Sequence, residues 1–184
     1  MCFAFAAFIM LSSKTSTMPL PPISEKDYRQ TLGYFATGVT VVTAERAPGL
    51  VHGMTANAFT SVSLHPAFIL ICVDHRARLL PLLQKKHGFG VSILKENQEA
   101  WSEYFAIGEH NAEAEERLGI RYRWTGKGIP VVEETLAQLA CTAIAKYVTG
   151  DHTIFVAEVE VAEMHPGNPL LFFRGEYRHL SPPR

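Results

Sequence analysis

Cysteine is scarce and poorly spaced for cross-linking. The 184 residues hold three, Cys2, Cys72 and Cys141, far apart and with no C-x-x-C pair. That spacing argues against a disulfide scaffold and a zinc ribbon, and a reducing cytoplasm is the expected setting. An excess of either charge is lacking too. Seventeen Lys and Arg stand against eighteen Asp and Glu, a formal charge of -1. A near-neutral chain has no electrostatic footprint for nonspecific DNA or RNA, so no nucleic-acid partner is expected. Long apolar runs are missing. The longest, residues 2–11, is about half of what crosses a bilayer, and no basic segment precedes it. Neither a membrane partner nor a signal peptide is expected.

Most catalytic motifs are absent as well. Gly88-Phe89-Gly90 is followed by Ile93, and Gly126-Lys127-Gly128 by Val131, so no G-x-G-x-x-G exists and a Rossmann fold is not expected. There is no P-loop, no G-x-S-x-G and no H-E-x-x-H. Eight histidines occur, but none forms H-x-H or an i,i+4 pair, so no metal is expected.

What is present suits one folded domain. Apolar residues make up 47% and charged residues 19%, which fits neither a disordered chain nor a coiled coil. Residues 1–23 end in Met18-Pro19-Leu20-Pro21-Pro22-Ile23, a density of proline that suits an extended segment, and translation is expected to start at Met18. The domain is expected over residues 24–184. Ser24 and Asp27 resemble a capping box, and Tyr28, Leu32 and Phe35 follow at helical spacing, which predicts a helix over 25–35 broken by Gly38. Val39 to Thr43 is β-branched throughout and predicts a strand. Ala47-Pro48-Gly49 predicts a turn, with a return strand over 51–59. Further strands are predicted over 68–73, 89–94, 139–148, 153–161 and 170–173. Thr149-Gly150-Asp151-His152 joins the two long ones as a hairpin. Helices are predicted over 79–86, after Asn97 and over 112–118. In the second long strand, Phe155, Ala157, Val159 and Val161 share one face, and Glu158 and Glu160 the other. The pattern predicts a mainly β protein, a barrel or sandwich with a few added α-helices.

The segment Gly53-Met54-Thr55-Ala56-Asn57-Ala58-Phe59-Thr60-Ser61-Val62-Ser63 is chemically unusual, with little charge and several small polar side chains after a strand. Such a segment can bring backbone N–H groups and hydroxyls to a planar polar ligand, although a Thr/Ser-rich edge strand would read the same way. Together with Phe35-Ala36-Thr37-Gly38-Val39-Thr40-Val41-Val42-Thr43, in that order, it resembles the short-chain flavin reductase family, the reductase partners of two-component flavin monooxygenases. Phe89 to Leu94, Gly150-Asp151-His152 and Leu171 to Tyr177 extend the resemblance over about residues 25–180.

The resemblance implies a split β-barrel of Greek-key, FMN-binding type. It implies a homodimer that binds FMN or FAD and takes hydride from NADH or NADPH, then supplies reduced flavin to a monooxygenase. It places cofactor contacts at Thr37 and Gly38, at Met54, Thr55, Ala56 and Asn57 for the ring, and at Ser61, Val62 and Ser63 for the ribityl or phosphate oxygens. Phe89 and Gly90 would line the ring edge. Arg78, in Asp74-His75-Arg76-Ala77-Arg78 before a helix start, would suit the phosphate. His152, and with less support Arg174 and Tyr177, would meet the nicotinamide nucleotide. Ala58, His65 and Ala77 depart from common family residues. Hydride transfer between two cofactors needs orientation and no general base, which agrees with the missing triad. Two other readings stay open: a flavin-binding sensor or carrier of the same barrel class, and an oxidase of pyridoxamine-phosphate type.

Overall fold

A continuous β-branched run, buried on both faces, makes the strand after Gly38 a divider between two parts of the core. A computed structural model describes residues 21–181. The expectations for residues 1–17 and for Met18 lie outside the described residues. Chain order is α1 (Glu25–Leu32), β1 (Thr37–Gly38), β2 (Thr40–Ala47), β3 (Leu50–Ala56), β4 (Phe59–Leu64), β5 (Ala67–Asp74), α2 (Leu80–Lys85) and β6 (Gly88–Ile93). Then come α3 (Glu99–Ala106), α4 (Ala112–Leu118), β7 (Tyr122–Trp124), β8 (Pro130–Val132), β9 (Ala137–Thr149), β10 (His152–Met164), β11 (Leu171–Phe173) and β12 (Glu176–Arg178).

Seven strands form one antiparallel sheet in the order β3-β2-β6-β9-β10-β5-β4. The two edge strands, β3 and β4, are joined by only Asn57 and Ala58, yet they do not pair. The sheet is therefore open between them, and the barrel expected from the sequence is a loose one. A three-stranded sheet, β1-β11-β12, and the β7-β8 hairpin flank it.

Strand β2 divides two cores. Val42 and Ala44 pack with Ile71, Phe89, Phe155 and the α2 residues Leu80 and Leu83. Val39 and Val41 point the other way, onto Tyr104 and Phe105 of α3 and onto Val132 and Leu170. Each such side chain contributes about 1.5–3 kcal/mol when fully buried. Tyr104 and Phe105 thus belong to the core. Trp101 packs against it while its indole N–H donates to the Leu118 carbonyl at 2.9 Å.

Several boundaries differ from expectation for physical reasons. The first helix ends at Leu32, capped by Gly33, rather than running to 35. At its start the Ser24 hydroxyl accepts from the Asp27 N–H, as the capping reading required. The return strand breaks at Asn57, because the Cys72 N–H bonds the Ala58 carbonyl and turns the chain into β4. Gln98, not Asn97, precedes α3. Its side chain accepts from the Lys95 N–H and donates to the Glu134 carbonyl. The alternation along β10 is interrupted by register shifts against β9 at Val156/Ala157 and Val159/Val161. Glu160 is consequently not a plain solvent-facing residue: it pairs with Lys127 at 2.7 Å and receives the Thr142 hydroxyl. Strands β1, β7, β8 and β12 have no counterpart in the sequence reading.

Gly90 shows how tightly β6 is held. A Cβ there would drive into the Pro130 carbonyl oxygen and the Thr43 hydroxyl, which already bond each other at 2.6 Å. Gly90→Ala should therefore destabilise the fold by about 1–3 kcal/mol, the usual cost of overpacking, read as a lowered urea midpoint at unchanged m-value.

Candidate functional site

Three surface depressions meet at Asn57, where the two open edges of the sheet are joined. One, of about 210 Å³, lies between the end of β3 and α3 and is lined by Thr55, Ala56, Asn57, Ser102, Phe172 and Tyr177, among others. A second, of about 300 Å³, is bounded by Thr37, Gly38, Asn57 and Phe59. The third, of about 540 Å³ and mostly apolar, runs under α1 between Leu32, Phe59, Cys72 and Phe172. Asn57 is exposed and makes no side-chain hydrogen bond among the described residues, so its amide is available to a ligand.

Ser102 organises the wall. Its carbonyl accepts from the Thr55 hydroxyl at 2.6 Å, and its own hydroxyl accepts from the Tyr177 hydroxyl at 2.8 Å. One buried serine thereby ties β3, α3 and β12 together. Gly53 makes the approach possible, since a Cβ there would stand 2.5 Å from the Phe105 ring carbons. Thr37 carries the opposite kind of signal. Its Oγ1 is buried, lines two of the depressions and has no hydrogen-bond partner among the described residues. A buried hydroxyl is rarely left without a partner, so a polar ligand edge at this point fits the residues present.

Thr37, Gly38, Thr55, Ala56, Asn57 and Tyr177 are thus brought together as the sequence suggested. Others are not. Phe89 is fully buried in the core, and Gly90 is a close-packing glycine against Pro130, so neither can line a ring edge. Met54 packs against the core around β2. Ser61, Val62 and Ser63 lie further along the edge strand β4, and none of them lines the three depressions. Arg78 sits in a different cavity, donating to the Gly108 carbonyl at 3.1 Å and to Glu109 at 3.2 Å. Arg174 holds a left-handed backbone, φ 55°, in the turn between β11 and β12. Its N–H donates to the Gly33 carbonyl and its guanidinium covers the Tyr34 ring at 4.8 Å.

His152 stands at the start of β10, opposite Asp74 of β5. Cys72, two residues earlier on β5 and about 7 Å away along the strand, lines the large depression. The imidazole Nδ1 lies 2.7 Å from Asp151 Oδ1, which leaves Nε2 without a partner among the described residues. Arg76 grips Asp74 through its guanidinium and its backbone N–H and holds that carboxyl well below the usual range. The hydrogen bond from His152 lowers Asp151 as well.

Ser102, Phe172 and Leu32 were not foreseen. A lone serine between Trp101 and Tyr104, and apolar residues in a short strand and a helix, carry no local sign of a ligand. Only the packing of α1, α3 and β11 around Asn57 reveals them.

Comparison with known proteins agrees with this geometry. The family model described as flavin reductase like domain matches residues 32–181. An NADH-dependent flavin reductase of Rhodococcus is 40% identical over 163 residues, covering 88% of this chain and 89% of its own. The reductase component of 4-hydroxyphenylacetate 3-monooxygenase from Thermus thermophilus is 42% identical over 154 residues, with 83% and 95% covered. The solved structure of the flavin reductase PheA2 superposes with a TM-score of 0.79 at 38% identity, covering 87% of this chain and all of that one. With its open antiparallel sheet and the Thr55-Ala56-Asn57 segment at the opening, the chain belongs to the flavin reductase like family.

Proposed function

We propose that this protein is an NADH-dependent flavin reductase that delivers reduced flavin to a monooxygenase. One observation carries the reading: the opening at Asn57 is built by the same residues, Thr37 and Thr55 to Asn57, that lie within a family match spanning residues 32–181. Relatives over most of the chain carry the names NADH-dependent flavin reductase and monooxygenase reductase component. FMN and FAD are both candidate flavins, and NADPH is the alternative donor.

When bound, the flavin supplies the ring that accepts hydride from the nicotinamide. The chain's own part is placement. Asn57 and the Thr37 hydroxyl offer polar contacts at the opening. The backbone of Thr55 and Ala56 is held still, because the Thr55 hydroxyl is engaged by Ser102. Phe59, Phe172 and Leu32 give the larger depression an apolar lining. Holding two rings in contact lowers the barrier through proximity, and no side chain has to move a proton. His152, with Asp151 orienting its ring, is suited to hold the carboxamide or a phosphate of the pyridine nucleotide. Residues Val62, Leu64 and Phe35 are 51%, 82% and 77% exposed on β4 and beyond α1. Apolar side chains on an open sheet edge need cover, so a homodimer sharing this face completes the reading. The unpaired, widely separated thiols suit a reducing cytoplasm.

Anaerobic mixing with NADH or NADPH and FMN, FAD or riboflavin should show nicotinamide oxidation. None above background with all three flavins would overturn the activity, and tight flavin binding without oxidation would favour a carrier or sensor. His152→Ala should raise KM for the pyridine nucleotide or lower kcat by about tenfold, the loss of one hydrogen bond of roughly 1.4 kcal/mol, with flavin affinity little changed. Lost flavin binding with unchanged nucleotide kinetics would reverse that assignment. Light scattering at micromolar concentration should give twice the 20.4 kDa chain mass, and a 20.4 kDa particle would refute the dimer.

A further inference from the structure

The β9-β10 hairpin outruns the strands beside it. Strand β6 pairs with β9 only over residues 137–142, and the last bond on that side is the Ala143 N–H donating to the His87 carbonyl at 2.7 Å. Strand β9 runs on to Thr149, paired from there with β10 alone. Among the described residues, the backbone of residues 144–149 makes no hydrogen bond outside that ladder. Every second residue of an antiparallel strand turns its N–H and C=O away from its partner, so a lane about 20 Å long offers unpaired backbone groups. Ile144, Tyr147 and Val148 along it are 50%, 59% and 75% exposed. Strand β10 also outruns its neighbour, since β5 stops opposite Glu158. That overhang carries Glu160 and Glu163, each in an ion pair, and charge is a usual guard of a free edge. The β9 lane carries Lys146 as its one charged residue.

A mostly apolar cavity of about 190 Å³ adjoins the lane, lined by Leu83 and Gln84 of α2, by His87, and by Ala145, Lys146 and Phe155, among others. Lys146, and Lys85 next to Gln84, make no ion pair or side-chain hydrogen bond among the described residues. The acids nearest in sequence or contact are already taken: Glu45 pairs with Lys86, and Asp151 beyond the turn bonds His152. We propose that the lane receives an extended segment of a partner protein in which apolar and acidic residues alternate. That segment would close the open side of the β9 ladder, place one aliphatic side chain in the cavity and set a carboxylate against Lys146. In strand addition of this kind the main-chain bonds supply affinity, while the pocket and the charge supply selectivity. A second copy of this chain fits less well, because it would bring its own Lys85 and Lys146 to a surface that already holds those cations. The proposal is independent of the flavin reductase reading, since none of these residues lines the Asn57 opening.

The probe is a capped six-residue peptide of alternating Val and Glu, titrated to millimolar concentration into the full chain. It should shift the backbone amide NMR signals of residues 144–149 and slow the hydrogen exchange of the amides among them that face the lane. The same peptide with methylated backbone nitrogens should have no effect, because it cannot close the ladder. A Val and Lys peptide should bind about tenfold more weakly, an attraction at Lys146 being replaced by a repulsion. Lys146→Glu should reverse that order and favour the Val and Lys peptide, and the side chain is exposed, so the variant should fold. The reversal keeps the outcome distinct from a general loss of structure. No change at residues 144–149 with the Val and Glu peptide would overturn the proposal, as would equal binding of its methylated form or an order of preference that Lys146→Glu leaves unaltered. Protection of these amides that grows with protein concentration, with no peptide present, would mean that a second copy fills the lane and would overturn it too.

Discussion

Helix α3 can lie against β3 only because residue 53 has no side chain. The Phe105 ring occupies the space a Cβ would need, and the helix settles close enough for the Ser102 carbonyl to receive the Thr55 hydroxyl. Tyr177 then reaches the Ser102 hydroxyl from β12. Much of the site depends on this contact. It fixes the end of β3 just before Asn57, draws the small β1-β11-β12 sheet over the opening, and leaves a cavity at each end of the seam. Buried hydroxyl networks of this kind hold a single arrangement because every member is satisfied.

The open sheet explains why the site is where it is. A closed barrel would pair β3 with β4 and spend their backbone groups on each other. Here Asn57 and Ala58 bridge the two edges without pairing them, so backbone groups and small side chains remain at a gap that an aromatic ring can enter. The division of labour follows. The double core on either side of β2 supplies stiffness, and in the proposed reductase the gap would supply contacts and leave the chemistry to the two rings.

Much of the fold was legible locally. β-Branched runs such as Val39 to Thr43, and the Thr149 to His152 hairpin, declare themselves through propensity and turn chemistry that do not depend on distant residues. The hairpin β7-β8 stayed hidden because Tyr122 to Trp124 and Pro130 to Val132 are too short and irregular to show alternation. Phe89 and Gly90 were misread for another reason. Strand β6 is buried on both faces, so its pattern does not say which residues face a cavity and which face the core. The direction of Ser61 and Ser63 was not legible, because an edge strand of small polar residues looks like a binding segment whether or not it turns inward.

By itself the sequence determined that this is a near-neutral, mainly β domain without Rossmann, P-loop or triad chemistry. It also held, in Thr37-Gly38 and Thr55-Ala56-Asn57, the segments that meet at the opening. Those facts are local, written in composition, propensity and short ordered motifs. Tertiary structure alone decided that Ser102 would join three elements, that Arg78 would share a cavity with Arg46 and two stacked histidines, and that Gly90 would serve packing. The residues in each of those groups are separated by tens of positions in the chain. No periodicity spans such distances, and only the path of the sheet and the approach of α3 bring them together.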